Sequence, residues 1–364
     1  MIAPAISLVA ISRQLHLRLA LLLAVALASL LFASALPQAG RATAIAASPS
    51  TGDVPVSILA WADLPKSEPR SAELSGVAWD SAAGTLYAIA DDSPRIVPLL
   101  PSADYQTWTF GDPIAVTIPM EWDGEGIVQT PDGFIVSNEF GPSIVELDRA
   151  GDPIGEVIVP AHFTRILRNR GFEALTLSPD GRYLFTANEA PLEGDGPQPS
   201  VESGGVVRIL RIDRTTGTAT EYAYRTDPIP VAGDGADRGV VEMVALSASE
   251  LLVMERSFIP NFGNNVRIYR VGIGGATDVL GTDNLTDATP ALAKTLLVDL
   301  ADLDDSDFPE QRQPQPNKIL DNFEAMALGP VLPDGRRILF VVSDDNQRDT
   351  QTARILVLAV VGLP

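Results

Sequence analysis

Cysteine is absent from all 364 residues, so disulfides, thiolate metal sites and cysteine nucleophiles are excluded. Histidine is nearly absent. His16 lies in the N-terminal leader described below, which leaves His162, in PAHFTRILRNRGFE, as the one imidazole of a processed chain. Zinc held by several histidines is therefore excluded, and a serine nucleophile with a histidine base would have to use His162. No G-x-S-x-G elbow accompanies it, and an isolated loop histidine is more simply a solvated side chain. There is no G-K-[ST] phosphate loop, and GIGG at Gly272 to Gly275 opens no helical pattern, so nucleotide binding lacks support. Lysine is limited to Lys66, Lys294 and Lys318. Beyond the leader no capped, amphipathic run of helical length occurs, which argues for an all-β chain.

What the chain has in excess is acid. The formal net charge is −21, a surface that repels nucleic acid and anionic membranes and attracts cations. Solubility alone would account for the total. At the N-terminus, Arg13, His16 and Arg18 precede the apolar run LALLLAVALASLLFASAL, with Ala33-Ser34-Ala35 as a small-residue cleavage site and Ala44-Ile45-Ala46 as a second. This is the layout of a signal peptide over residues 1–35, or to 46, and it predicts a secreted or periplasmic protein. A retained membrane anchor is the alternative. Residues 36–52 read as a flexible linker and 53–364 as a single domain. Cleavage after Ala35 removes Arg13 and Arg18 and takes the charge to 24 − 47 = −23.

Five times a glutamate opens a short apolar strand, a turn follows, and a second strand closes on an acid. The first acids are Glu73, Glu125, Glu173, Glu242 and Glu324; the second are Asp91, Glu139, Glu189, Glu255 and Asp344. Each midpoint falls in turn sequence: DSAAG, PDG, PDG, SAS and PDG. Antiparallel pairing is symmetric about a turn, so each unit reads as a hairpin with its two carboxylates as cross-strand neighbours. Two further strands follow each hairpin: RIVPLL and PIAVTI, SIVELD and GEVIVP, VRILRID and ATEYAY, VRIYRV and TLLVDL. The fifth unit has only ARILVLAVV, and VPVSILAWA near the start can supply its missing strand. The fold predicted is a β-propeller of five four-stranded blades closed by that N-terminal strand. A sixth blade between Gly272 and Asn322 is the rival count.

Innermost strands line a propeller's channel, so the five first glutamates are expected to converge on one mouth with their partners just outside. Crowded like charges raise one another's pKa, and a divalent cation relieves this. Oxygen ligands alone suit calcium, with magnesium or manganese as the other hard cations. Glu73, Glu125, Glu173, Glu242 and Glu324 are thus candidate metal ligands. The competing reading makes these glutamates acceptors for a neighbouring blade's backbone or arginine. Glu139 and Glu189 are candidate proton acceptors. Arg170 and Arg256 are candidates for holding a substrate anion or pairing with a ring acid, and Asn138 and Asn188 for bonding ligand or closing strand ends.

The phrases WDGEGIVQTPDGFIVSNEFGPSIVELDRAG, NRGFEALTLSPDGRYLFTANEAPL and EMVALSASELLVMERSF resemble the phytase-like, or esterase-like activity of phytase, family of exported bacterial proteins. The resemblance runs from about Glu73 to the C-terminus. It implies a propeller, hydrolysis of phosphate or carboxylic esters, and family-motif positions at Glu125, Glu139, Arg170, Glu173, Glu189, Glu255 and Arg256. None of the three lysines lies in the repeat motifs, which argues against a highly charged polyphosphate substrate. The expectation is a metal-dependent ester hydrolase, phosphoesterase-like, acting on a small molecule as a monomer. A non-catalytic ligand- or partner-binding propeller and a lactonase-type hydrolase are the alternatives.

Overall fold

The computed structural model describes residues 55–118 and 121–364. The signal-peptide and linker readings fall on residues outside these. β1 (Val56–Asp63) is followed by five antiparallel sheets. Blade 1 holds β2 (Leu74–Asp80), β3 (Thr85–Ala90), β4 (Arg95–Pro101) and β5 (Trp108–Phe110), with β6 (Ile114–Ala115) also paired to β4. Blade 2 holds β7 (Gly124–Gln129), β8 (Gly133–Asn138), β9 (Ser143–Asp148) and β10 (Pro153–Val157). Blade 3 holds β11 (Phe172–Leu177), β12 (Tyr183–Asn188), β13 (Val206–Asp213) and β14 (Thr218–Arg225). Blade 4 holds β15 (Asp237–Ser247), β16 (Glu250–Ile259), β17 (Gly263–Gly272) and β18 (Lys294–Asp299). Blade 5 holds β19 (Phe323–Val331), β20 (Arg337–Ser343) and β21 (Arg354–Val360), with β1 as its outer strand.

The chain is a five-bladed β-propeller. Its ring is fastened as expected: β1 pairs antiparallel with β21 from Val56↔Val360 to Asp63↔Arg354. Arg354 adds a two-pronged bond to Asp63 at 2.6 and 3.0 Å. The expected fourth strand of blade 1 is displaced. Trp108–Phe110 fills that place, and the PIAVTI segment contributes only the two residues of β6.

No sixth sheet forms among the described residues. The 273–293 segment instead lays Val279 and Leu285 against Val206 and Ala223 of blade 3. Strands buried on both faces carry continuous apolar sequence, as in RILVLAV of β21, because each blade is covered by its neighbours. The turns follow their chemistry: Asp80 accepts the N–H of Ala82 and Ala83, and Gly181 and Gly335 take φ of +73° and +86°.

Register decides what reaches the channel mouth. Every innermost strand opens with a bulge, at Ser75, Glu125–Gly126, Glu173, Val241 and Glu324. A bulged residue has no cross-strand partner and its side chain is re-aimed. The paired acids of the sequence reading are corrected accordingly. Asp91 does oppose Glu73, but Glu139 opposes Asp123, Glu189 opposes Gly171, and Asp344 opposes Asn322. In blade 4 the register is offset by one residue, so Arg256, opposite Gly239, occupies the place of the second acid.

Candidate metal centre

At one mouth of the channel the bulged Glu125, Glu173 and Glu324 line a cavity of about 310 Å³. Asp91, Asp123, Glu139, Glu189, Asp237 and Asp344 line it as well, with Arg170, Arg256 and Arg348 as its cations. Asp123, Glu125 and Glu139 each offer one carboxylate oxygen, all within 4.8 Å of one another. Glu73, Asp91 and Asp92 form a second such group beside them. These are the two blades in which acids face each other across the hairpin.

The carboxyls are forced to keep protons that they would shed in water. Burial, then the negative charges of Asp123 and Glu189, raises Glu139 to about 7. Burial, then the charge of Glu73, raises Asp91 to about 8. Glu73 is raised to about 7, mainly by burial. Glu125 and Glu173 lie well above the usual carboxylate range, by burial first, then by the charges of Glu173 and Glu324 on Glu125 and of Glu189 and Glu139 on Glu173. A hard divalent cation fits this donor set, because every converging ligand atom is a carboxylate oxygen and positive charge relieves the repulsion.

Glycine makes the room. A Cβ at Gly171 would lie 2.4 Å from Cγ of Glu139, and a Cβ at Gly239 would lie 2.4 Å from Cγ of Glu189. Each second-strand acid therefore leans across the next blade, and Glu139 accepts the N–H of Gly171 at 2.7 Å. Neither Asp123 nor these glycines stands out from sequence. The available signals were the acid two residues before Glu125 in WDGEGI and the Arg-Gly steps just before β11 and at the start of β15.

Of the candidate ligands, Glu125, Glu173 and Glu324 are gathered here and two others are not. Glu73, at φ +58°, faces a neighbouring cleft with Asp92, Asp345 and Gln347. Glu242 is buried and accepts the N–H groups of Leu175, Met243 and Met326, tying the innermost strands of blades 3, 4 and 5. Glu255 is likewise drawn away, bonded to Tyr224, Arg238, Lys294 and the N–H of Asp227.

Arg170, Arg256 and the two candidate asparagines are committed within the protein. Arg170 bonds Glu189 at 2.7 Å and Asp237 at 2.6 Å. Arg256 reaches Glu324 at 3.0 Å and Glu189 at 3.5 Å, and also bonds Asn322. Asn138 bonds the backbone of Glu121, Asp123 and Phe140, while Asn188 bonds that of Ala190 and Arg208. His162 sits elsewhere, with Nε2 2.6 Å from Glu221.

The family described as phytase-like, esterase-like activity of phytase, matches residues 69–347. The chain belongs to the phytase-like family. An uncharacterized secreted protein of Arthroderma benhamiae is 28% identical over 158 residues, covering 35% of this chain and 30% of the relative. The phytase-like chain thus spans less than a third of that relative. Among solved structures it is similar to an endo-arabinase from Bacteroides thetaiotaomicron (12% identity, 81% of this chain and 97% of that one, TM-score 0.45). It is similar also to the Cps50 (Swd1) β-propeller domain of Myceliophteria thermophila (11%, 79% and 83%, TM-score 0.35). Among the described residues of this phytase-like chain no helix is long and apolar enough to cross a membrane.

Proposed function

We propose that the chain is an exported, metal-dependent ester hydrolase acting on small phosphoesters, with its site in the carboxylate-lined cavity. The observation that carries this reading is the convergence of Asp123, Glu125 and Glu139 within 4.8 Å, in a cavity that also holds arginines. These three carboxylates would hold a divalent cation, with calcium best suited to an all-oxygen set. When bound, such a cation supplies Lewis acidity at the ester oxygen and at a water.

The remaining roles fall to the protein. Glu189, bridged by two guanidinium groups, is fixed as part of the wall. Glu173 accepts no hydrogen bond among the described residues, and its carboxyl is held above the usual range by burial and by Glu189, Glu139 and Glu324. A buried carboxyl that faces the cavity and is bonded to no internal donor is placed to exchange a proton with a substrate, and Glu173 is assigned that task. Export follows from the signal-like leader, with the secreted relative in support.

The test has two arms. Melting with EDTA and then with calcium added back should raise the midpoint on addition; no shift with any divalent ion sinks the metal site. Hydrolysis of phosphomonoesters, phosphodiesters, acyl esters and lactones should be metal-dependent and fall about a hundredfold or more in Glu173→Gln. A binder with a structural acid ring is the second reading, favoured by the internal pairing of Arg170 and Arg256. Calcium binding without turnover of any of these substrates would select it.

A further inference from the structure

Three arginines line the cavity, and two of them are spent on its walls. The third, Arg348, is exposed, and among the described residues its guanidinium makes no ion pair, hydrogen bond or ring contact. We infer that Arg348 receives the anionic group of the substrate and that this group is the phosphate of a monoester. The inference rests on the reading of the cavity as an ester-hydrolysing metal site and names its substrate class.

The backbone at Arg348 is pinned while the side chain is not. Its N–H donates to the carbonyl of Asp345 at 2.8 Å, and its own carbonyl accepts from Gln351 at 3.2 Å and from Lys66. The preceding turn places Asn346 and Gln347 in the left-handed region, at φ +45° and +49°, and Asp344 accepts the N–H of Asn346 at 3.0 Å. An arginine set on a fixed turn over a carboxylate-rich cavity, yet bonded to none of those carboxylates, is an available donor.

Its planar fork matches two oxygens of a phosphate. An anion entering among nine carboxylates needs a positive partner, and Arg170 and Arg256 would have to abandon Glu189 to provide one. A single uncommitted guanidinium suits one compact phosphate rather than a polyphosphate. The sequence offers Arg170 and Arg256 for this role; the pairing of Arg170 with Glu189 and Asp237, and of Arg256 with Glu324 and Glu189, leaves it to Arg348.

The experiment is calorimetric titration of phenylphosphonate, whose C–P bond resists hydrolysis, into wild type, Arg348→Gln and Arg348→Lys in excess calcium. At least tenfold weaker binding is expected for Arg348→Gln, with partial recovery in Arg348→Lys. The calcium-induced rise in melting midpoint should be unchanged in both, which separates loss of the anion contact from loss of fold or metal. Equal binding by wild type and Arg348→Gln, or no binding by wild type, overturns the inference. Phosphomonoester hydrolysis with KM unchanged in Arg348→Gln also overturns it and leaves the hydrolase reading standing. Arg348-dependent binding with no turnover supports the inference and sinks the hydrolase reading instead.

Discussion

At the scale of single residues, the site depends on carboxyls kept partly protonated by their surroundings, and this fixes a pH dependence. Asp91 is raised to about 8 and Glu73 and Glu139 to about 7. Unfolding would return them to ordinary carboxylate values, so above pH ~4 the folded state binds more protons than the unfolded chain. Metal-free stability is therefore expected to fall as pH rises from about 4.5 to 8, while stabilisation by calcium grows over the same interval. Melting in EDTA and in calcium at pH 5, 6, 7 and 8 reads both slopes; a flat EDTA curve contradicts the assignment. Gly171→Ala drives a methyl into Glu139 and should cost about 1–3 kcal/mol by overpacking. It should also shrink the calcium-induced midpoint shift, while far-UV circular dichroism stays that of a β protein. Glu242→Ala strands the N–H groups of Leu175, Met243 and Met326. A loss on the order of 3 kcal/mol in urea unfolding is expected, with Glu242→Gln, which keeps one acceptor oxygen, milder.

At the scale of strands and hairpins, much was readable because turn chemistry is local. The PDG steps at Asp132, Asp180 and Asp334 and the DSAAG loop placed the hairpins, and the pairing of β1 with β21 followed from a missing partner. Register was not readable in the same way. A bulge inserts one residue without a reliable sequence mark, so lining up repeats by their glutamates put Glu73 in the place held by Ser75. It also made Glu242 and Glu255 into channel acids, whereas the one-residue offset of blade 4 turns Arg256 to the mouth. Asp123 and Gly171 became visible only once the strands were paired. The closing sheet makes its own prediction. Deleting residues 1–63 removes β1 and bares β21, so the truncated chain should lose its cooperative urea transition or aggregate. A truncation that melts like the parent would refute the closure.

For the whole molecule, nine of the carboxyls counted in the formal charge of −21 meet at one mouth. In EDTA the melting midpoint should climb with sodium chloride as repulsion is screened, and calcium should blunt that climb. At a hundredfold excess over Kd, calcium binding is expected to add about 2.7 kcal/mol of stability. The fold class, the blade count and an acid-rich opening were accessible from repetition alone, because a propeller writes its architecture into every repeat. The division of labour among the acids was not, because it depends on which neighbour each carboxylate meets in space. The shared sheet of β1 and β21 also sets a timetable. The first described strand must wait for the last before the circle can latch, so four blades can assemble during synthesis while the fifth stays open. A chain of this design stays an open arc until its final strand arrives, and only then becomes a sealed ring.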